Sequence, residues 1–542
     1  MIGPAHVAFR VFIHFHLFLI IRRRVFSLRP VILAGALLLT LAGCASLPKD
    51  VTHEPSHAWD RPQETKLGRA LAADIAQRPG MSGFQLLGNG MDAFVARMAL
   101  AGAAERTLDL QYYIFHDDLT GKLILDNVLG AADRGVRVRI LVDDTTAKGR
   151  DAGIAVLSSH RHIEMRVFNP SAGRSSASWL FNAASDFDRI NHRMHNKMFV
   201  ADNQVGVVGG RNIGDEYFGA REGVNFADLD LLAVGPVVQD LSRSFDEYWN
   251  SEWAYPIESL HGEKADPAAL EKGRQALAAH RTAAGDSDYA KRLRDSDLLK
   301  KLLARELPLA WAPAQVVYDK PKKAAGGDAD ATIRLGPQLR SAVVDIRSEI
   351  IISSPYFIPG ENGITLFGKL RKQGVRVRIL TNSFAANDVA VVHSGYAQYR
   401  KDLVKLGVEL YEIKPSLTEA SEQERKSFGS SGASLHAKSF IFDRQQLFVG
   451  SLNLDPRSLY LNTELGIVVD SPDLADTLAR QFEELLRPAY SYRLALDAPD
   501  GDLVWISEEN GREVRHTRDP EVGFWRRFST WFLSVFAPES ML

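Results

Sequence analysis

The stretch GVRVRIL at residues 135–141 occurs a second time at residues 374–380. Valine and isoleucine alternate with arginine in both copies, which is the period-two pattern of a β-strand. A helical stretch precedes each copy, and an aromatic-rich strand precedes each helix. Strand, helix and strand in this order predict a βαβ unit, so each half of the chain should contain a mainly parallel sheet flanked by helices. The helical stretches are 123–134 and 364–372, and the earlier strands are 108–115 and 350–358.

A second repeat, H-x-K-x4-D, lies almost in register with the first. Positions i and i+2 of a strand point to the same face, so each histidine and its lysine should project together. A phosphodiester is an anion that repels nucleophiles, and a lysine charge beside its oxygens helps both binding and the transition state. Histidine suits nucleophilic and proton-transfer work because its pKa lies near neutrality. The repeat therefore predicts phosphodiester chemistry, with a candidate catalytic set of His195, Lys197, Asp202, His436, Lys438 and Asp443.

The two aspartates of this repeat have two interpretations. Asp202 and Asp443 come where each strand should turn, and aspartate is a common turn former. The alternative is a role in the charge network of the site. Neither interpretation makes them the chemical base.

Further paired residues follow each H-x-K segment. Glycine lets backbone approach a phosphate, and an asparagine amide can donate to phosphate oxygens. A downstream carboxylate can accept a hydrogen bond from an imidazole and fix its tautomer. The candidate substrate-binding residues are Gly210, Asn212, Ser451 and Asn453, and the candidate histidine-orienting residues are Asp228 and Glu464.

Composition restricts the function classes. The 542 residues are too many for one ordinary core. The formal net charge of -2 gives no support to a dedicated nucleic-acid binder, so we do not expect a nucleic-acid partner. Cys44 is the one cysteine, which excludes an intramolecular disulfide and a zinc–thiolate cluster.

The N-terminus is typical of an export signal. Arginines precede an apolar run at 31–41, and the run ends in Leu41-Ala42-Gly43-Cys44, which resembles a bacterial lipobox. We expect residues 1–44 to be a signal peptide and Cys44 to carry lipid; the alternative is an uncleaved N-terminal anchor. The residue after Cys44 is Ala45, whereas an aspartate at this position retains some lipoproteins at the inner membrane. The prediction is a membrane-anchored, periplasm-facing lipoprotein, in the outer rather than the inner membrane.

The complete pattern, two copies of H-x-K-x4-D-x6-G-[GS]-x-N, resembles the phospholipase D superfamily, and within it the bacterial cardiolipin synthase branch of the C type. Supporting segments are Leu110-Gln111-Tyr112-Tyr113, Ser354-Pro355-Tyr356-Phe357 and Asp455-Pro456-Arg457-Ser458. The resemblance implies an α/β fold. It consists of two α/β/α sandwich domains with mostly parallel or mixed sheets, related by pseudo-twofold symmetry, with one active site at their interface. It implies no cofactor, no metal and no obligatory protein partner.

The resemblance also implies roles for residues. His195 would be the nucleophile and His436 the acid and base. Lys197 and Lys438, with the two asparagines, would bind the phosphoryl oxygens. Asp228 and Glu464 would orient the histidines, and each need not pair with the histidine of its own half.

The implied reaction is transfer of a phosphatidyl group from phosphatidylglycerol to a second lipid alcohol through a phosphohistidine, with phosphatidylethanolamine as a further candidate substrate. The alternatives are a phospholipase D hydrolase, a nuclease of the same superfamily and a non-enzymatic membrane scaffold. Complete motifs in both halves argue against the scaffold.

The expected domains also include a C-terminal helix. Phe524, Phe528, Phe532 and Val535 fall at helical spacing, which predicts an amphipathic helix that either packs on the catalytic domains or lies on lipid. The expected boundaries are a signal peptide at 1–44, a linker at 45–80, a first domain at 81–255, a helical insertion at 256–312, a second domain at 313–490 and a tail at 491–542.

Overall fold

The structure, a computed structural model, describes residues 47–48, 51, 54–172, 187–221, 223–261, 266–304, 306–326, 331–387, 389–415, 432–509 and 511–534. The predicted signal peptide with Cys44, the side chain of Phe532 and all of Val535 lie outside the described residues. None of the helices within these ranges is long and apolar enough to cross a membrane.

Strands of the first half are β1 (Ser82–Leu87), β2 (Thr107–Tyr112), β3 (Arg137–Asp143), β4 (Ile163–Phe168), β5 (Met198–Ala201), β6 (Val205–Gly209), β7 (Val224–Ala227), β8 (Asp230–Val234), β9 (Ala254–Pro256) and β10 (Ala310–Ala312). Strands of the second half are β11 (Ala314–Tyr318), β12 (Glu349–Ser353), β13 (Arg376–Asn382), β14 (Glu409–Ile413), β15 (Gly432–Leu435), β16 (Ser439–Phe442), β17 (Gln446–Gly450), β18 (Leu465–Asp470), β19 (Ser491–Leu496), β20 (Leu503–Glu509) and β21 (Arg512–His516).

Helices surround these strands. They are α1 (Lys66–Gln77), α2 (Gly90–Ala103), α3 (Leu119–Asp133), α4 (Asp144–Ala147), α5 (Asp151–Ser158), α6 (Phe187–Asn191), α7 (Pro236–Trp249), α8 (Ile257–His261), α9 (Pro267–Gly285), α10 (Asp288–Arg294), α11 (Asp297–Ala304), α12 (Leu335–Ala342), α13 (Gly360–Lys372), α14 (Ala390–Ala397), α15 (Arg400–Lys405), α16 (Pro472–Leu485) and α17 (Phe524–Ser534).

Two mixed sheets share one strand order. The first runs β10-β1-β8-β6-β5-β2-β3-β4-β9, and the second runs β11-β18-β17-β16-β12-β13-β14-β19-β20-β21. Within each, β2-β3-β4 or β12-β13-β14 are parallel and the preceding neighbours are antiparallel. The order β8-β6-β5-β2-β3-β4 therefore corresponds to β18-β17-β16-β12-β13-β14. The predicted pair of related α/β domains is confirmed.

One arginine of each repeat, Arg139 of β3 and Arg378 of β13, is buried. Arg139 pairs with Asp246 of α7 at 2.8 Å, and its guanidinium lies over the ring of Phe245 at 4.8 Å. Arg378 likewise pairs with Glu483 of α16 at 3.1 Å. The valines and these two arginines therefore lie on opposite faces of the strands, and both faces are buried. On the arginine face, ion pairs connect the sheet to the helix that covers it.

The central hydrophobic cluster belongs to both halves. It contains Leu241 and Phe245 of α7 together with Leu478 and Phe482 of α16, and strand residues from both sheets. Separate clusters fill the outer face of each half, under α2 and α3 or under α13 and α14. Because the two halves share one apolar core, their facing loops are held in a fixed relation.

Three predicted boundaries need correction. The predicted linker contains α1, and β10 joins the first sheet although it lies within residues 256–312, which were expected to be an insertion. The predicted tail begins with β19, β20 and β21, which extend the second sheet from the edge of β14. Short strands that pair with distant edges carry little local signal, and the unpaired edge of β14 explains why the later strands add there.

Candidate active site

The strand before His436 crosses to the other half. β15 pairs in parallel with β7, and the backbone N–H of His436 donates to the carbonyl of Ala227 at 2.8 Å. This pairing places Asp228, the next residue after β7, beside the imidazole. Nδ1 of His436 lies 2.5 Å from Oδ2 of Asp228. A histidine of the second half is therefore oriented by a carboxylate of the first.

His195 of the first half is oriented in the same way, by a carboxylate of the second half. Its backbone N–H donates to the carbonyl of Thr463 at 2.9 Å, and Thr463 N–H donates to the carbonyl of Arg193 at 2.9 Å. Glu464 follows, and its Oε2 lies 2.9 Å from Nδ1 of His195. The hydroxyl of Ser451 donates to the same carboxylate. The two H-x-K segments and their two carboxylates thus form one site across the halves.

Each lysine lies against its own histidine. Nζ of Lys197 donates to the carbonyl of His195 at 2.5 Å, and Nζ of Lys438 donates to the carbonyl of His436 at 2.5 Å. Burial holds the pKa of Lys197 well below its ordinary value, although Glu464 opposes the shift. Lys438 lowers the pKa of His195, and Lys197 lowers that of His436, so each lysine also acts on the other half's histidine.

Burial lowers the pKa of both imidazoles. It lowers the pKa of His195 to about 4 against the opposing charge of Glu464, and it lowers the pKa of His436 together with Lys438. Burial alone would raise the pKa of Asp228, but His436 and Lys438 outweigh it and bring the pKa to about 2. A carboxylate can only accept, so Nδ1 of each neutral ring carries the hydrogen. The lone pair of Nε2 is then available for attack or for proton transfer.

The two asparagines of the glycine-rich turns differ in their partners. Asn212 accepts from the backbone N–H of Ile114 at 3.2 Å and donates to the hydroxyl of Tyr217 at 2.9 Å. Oδ1 of Asn453 is buried and makes no hydrogen bond to any described residue. A half-turn of this amide would direct its N–H donors to the same place. Asn453 therefore fits a role in binding a phosphoryl oxygen.

Gly210 leaves room for the carboxylate of Asp228. A Cβ at this position would lie 2.1 Å from Oδ1 of Asp228, which is far inside contact distance. The equivalent residue of the second half is Ser451, whose hydroxyl instead donates to Glu464. The same turn position thus supports the orienting carboxylate in both halves, by absence of a side chain or by a hydrogen bond.

We expect Gly210→Ala to lower kcat by about 100-fold, because the added methyl must displace Asp228 from His436 and misplacement of about 1 Å costs on this order. Steady-state kinetics on the purified variant measures the effect. Gly102→Ala in α2 is the matched control, since a Cβ there meets nothing within 4 Å and alanine favours a helix. Wild-type activity in Gly210→Ala would contradict the assigned packing.

Asp202 and Asp443 have a structural role instead of a catalytic one. The Asp202 carboxylate accepts from the backbone N–H groups of residues 105–107 at 2.7–3.2 Å. Asp443 accepts from those of residues 347–349 at 2.8 Å. Both residues have positive φ, 55° and 52°, and lie at the opposite end of β5 or β16 from the histidine. The structure supports the turn-former interpretation and corrects their inclusion in the catalytic set.

Asp319 is a site residue that the sequence did not indicate. Its backbone N–H donates to the carbonyl of Glu464 at 2.9 Å, and its Oδ2 accepts from the N–H of Glu464 at 2.8 Å. Lys323 donates to the same carboxylate at 2.9 Å. These bonds fix the backbone that carries the orienting carboxylate. A lone aspartate outside the repeated motifs gave no signal of this role.

Aromatic rings border both histidines. Tyr113 lies 5.2 Å from the ring of His195, and Phe226 lies 4.9 Å and Tyr217 5.2 Å from that of His436. They contribute to the apolar surroundings that depress the imidazole pKa values. Among the described residues, no group of three or more His, Cys, Asp or Glu side chains is arranged to hold a metal ion.

The chain is similar to known proteins over most of its length. Residues 98–249 and 338–486 match the family model described as "Cardiolipin synthase, PLD-like domain". Cardiolipin synthase C of Escherichia coli (strain K12) is 40% identical over 483 residues, which covers 88% of this chain and 100% of that protein. Cardiolipin synthase A of Pseudomonas putida (strain GB-1) is 26% identical over 440 residues, or 80% of this chain and 74% of that protein.

The fold also has a counterpart among solved structures. Phosphatidylserine synthase from Haemophilus influenzae Rd KW20 superposes with a TM-score of 0.53 at 13% identity, over 88% of this chain and 100% of that one. At this identity the likeness concerns the fold alone. The family match and the E. coli relative carry the assignment: the chain belongs to the cardiolipin synthase family with phospholipase D-like domains, and it is an enzyme of the phospholipase D type.

Proposed function

We propose that this enzyme transfers a phosphatidyl group from phosphatidylglycerol to a second lipid alcohol, giving cardiolipin and glycerol, through a phosphohistidine. One observation carries the proposal: each H-x-K histidine receives its orienting carboxylate from the opposite half. Two imidazoles, each bound through Nδ1 to a carboxylate, therefore share one site with two lysines, and Nε2 of each ring is left for the chemistry.

In the first step Nε2 of His195 attacks phosphorus, and the bond from phosphorus to the glycerol oxygen breaks. The departing oxygen takes a proton from Nε2 of His436, which must be protonated at that moment. Asp228 stabilises this imidazolium, as a carboxylate does when it is bound to Nδ1. The lysines and Asn453 hold the non-bridging oxygens as charge redistributes in the transition state.

In the second step the hydroxyl of another lipid attacks phosphorus, and its proton goes to Nε2 of His436. The bond from phosphorus to His195 breaks, which returns that imidazole to its neutral form. Water could take the place of the lipid alcohol and give phosphatidic acid. The side chains of His195 and His436 are only 9% and 7% exposed, so the site restricts water. This favours transfer over hydrolysis.

The sequence that precedes the described residues supports the proposal that the enzyme acts at a membrane. The lipobox-like segment ending in Cys44 would tether the catalytic halves to a lipid surface, and a lipid substrate requires access to one. We retain the periplasmic face of the outer membrane as the proposed location.

The test uses purified protein in mixed micelles of labelled phosphatidylglycerol, with and without phosphatidylethanolamine, and reads the products by mass spectrometry. We expect cardiolipin from the wild type and none from a His195→Ala control. Dependence of the yield on phosphatidylethanolamine, which has no hydroxyl to accept the group, would identify it as the phosphatidyl donor, with phosphatidylglycerol as the acceptor and ethanolamine as the leaving group. Phosphatidic acid as the sole product would replace transfer by hydrolysis.

A further inference from the structure

Helix α17 exposes large aromatic side chains, which a helix on an aqueous surface normally buries. Phe524, Trp525 and Phe528 are 71%, 77% and 47% exposed. Their rings contact one another, with centroids 5.6 Å apart for Phe524 and Trp525 and 6.3 Å for Trp525 and Phe528. We call these three residues the aromatic patch. A water-facing helix normally buries such side chains and exposes its charges.

Arg526 and Arg527, which lie between Trp525 and Phe528 in the sequence, donate hydrogen bonds to backbone carbonyls outside the helix. Arg526 donates to the carbonyl of Asn387 at 2.6 Å, and Arg527 donates to the carbonyl of Asp519 at 2.5 Å. The carboxylate of Asp519 in turn pairs with the buried Arg400 at 2.9 Å. The helix is thus anchored through its charged side chains, and the anchoring holds the aromatic patch outward.

This helix lies near the active-site edge of the second sheet. Asn387 belongs to the loop after β13, and β13 ends at Asn382. The side chain of Asn382 accepts from the N–H of Leu435 at 2.8 Å and donates to its carbonyl at 3.0 Å. Leu435 directly precedes His436. A short path of backbone and hydrogen bonds therefore joins the aromatic patch to the site, and the exposed Val389 continues the apolar surface along the same loop.

We propose that the aromatic patch inserts into the boundary between headgroups and acyl chains of a phospholipid bilayer, so that the edge carrying His436 faces the lipid. Phenylalanine and tryptophan on an anchored helix suit this boundary, because tryptophan has an apolar body with a polar N–H. The choice of lipid as the partner rests on the proposed function. The aromatic patch is connected to the catalytic edge, and this distinguishes it from other exposed apolar residues such as Leu366 of α13.

Contact with lipid can be measured independently of activity. In a full-length Cys44→Ser background, Trp525→Cys is labelled with an environment-sensitive fluorophore and mixed with vesicles of phosphatidylglycerol and phosphatidylethanolamine. We expect a blue shift and quenching by brominated acyl chains. Leu366→Cys is the matched control and should show neither. Equal responses at both positions, or no response at 525, would overturn the proposal.

The second arm compares two forms of substrate. The triple variant Phe524→Ser, Trp525→Ser, Phe528→Ser should lose about 10-fold or more of the rate on vesicles, consistent with three lost apolar anchors. Its rate on short-chain phosphatidylglycerol dispersed as monomers should equal that of wild type. Equal losses on both substrates, or dissociation of a dimer in the triple variant, would show that the patch packs on protein and would overturn the proposal. Wild type that makes no lipid product at all, but still shows the probe shift, would refute the proposed reaction and not the lipid contact.

Discussion

Replacing either His195 or His436 with alanine is expected to lower turnover by about 10⁴-fold or more, because the two imidazoles act as one unit and neither can substitute for the other. His195 supplies the attacking nitrogen and His436 supplies and removes the proton. For the same reason the double variant should be no slower than either single variant. Rates of product formation from phosphatidylglycerol measure both effects.

The same variants should remain folded. The two side chains form hydrogen bonds at the junction of the halves but are not part of the hydrophobic clusters. Thermal unfolding should therefore show a small change in Tm. His280→Ala is a suitable control, since this histidine makes a single 3.4 Å contact to the carbonyl of Leu119 in the first half. Substantial activity in His195→Ala or His436→Ala would refute the two-histidine mechanism.

Glu464→Gln should lower kcat by about 10²–10⁴-fold with little change in KM, because the amide keeps the shape of the side chain but loses the charge that fixes the Nδ1–H tautomer of His195. The pH profile gives a second readout. The Glu464 charge raises the pKa of His195, so its removal should move the acid limb of kcat/KM to lower pH.

Glu483→Gln is the matched control for this variant. Glu483 is a carboxylate of the same half that pairs with the buried Arg378, and it lies on α16 with no bond to either histidine among the described residues. It should alter stability without altering the pH profile. A Glu464→Gln enzyme with wild-type kcat, or with a changed KM alone, would show that the carboxylate does not orient the nucleophile.

Much of this fold follows from short-range patterns. The repeated GVRVRIL segment lies at β3 and β13, and the H-x-K residues immediately precede β5 and β16 instead of lying within them. The predicted family is confirmed by the family match and by the E. coli relative. Asp228 and Glu464 were also found from the repeat, since each follows its motif at a similar distance.

The sequence does not predict that each histidine is oriented by the carboxylate of the opposite half. The contacts of His195 with Glu464 and of His436 with Asp228 span 269 and 208 residues, and no local pattern selects the partner across such distances. Asp319 was missed for the same reason. The burial of Arg139 was also unpredictable, because alternating arginines look like a solvent-facing strand until α7 supplies their carboxylates.

The covalent intermediate is the central claim, and its position on the chain can be measured. Wild-type enzyme turning over labelled phosphatidylglycerol is quenched rapidly with a denaturant near neutral pH, which spares the acyl esters, and is then digested and mapped by mass spectrometry. The mechanism predicts a phosphatidyl group on the peptide containing His195 and no adduct in His195→Ala. A phosphatidyl group on His436, or none on either histidine while cardiolipin is being formed, would contradict it.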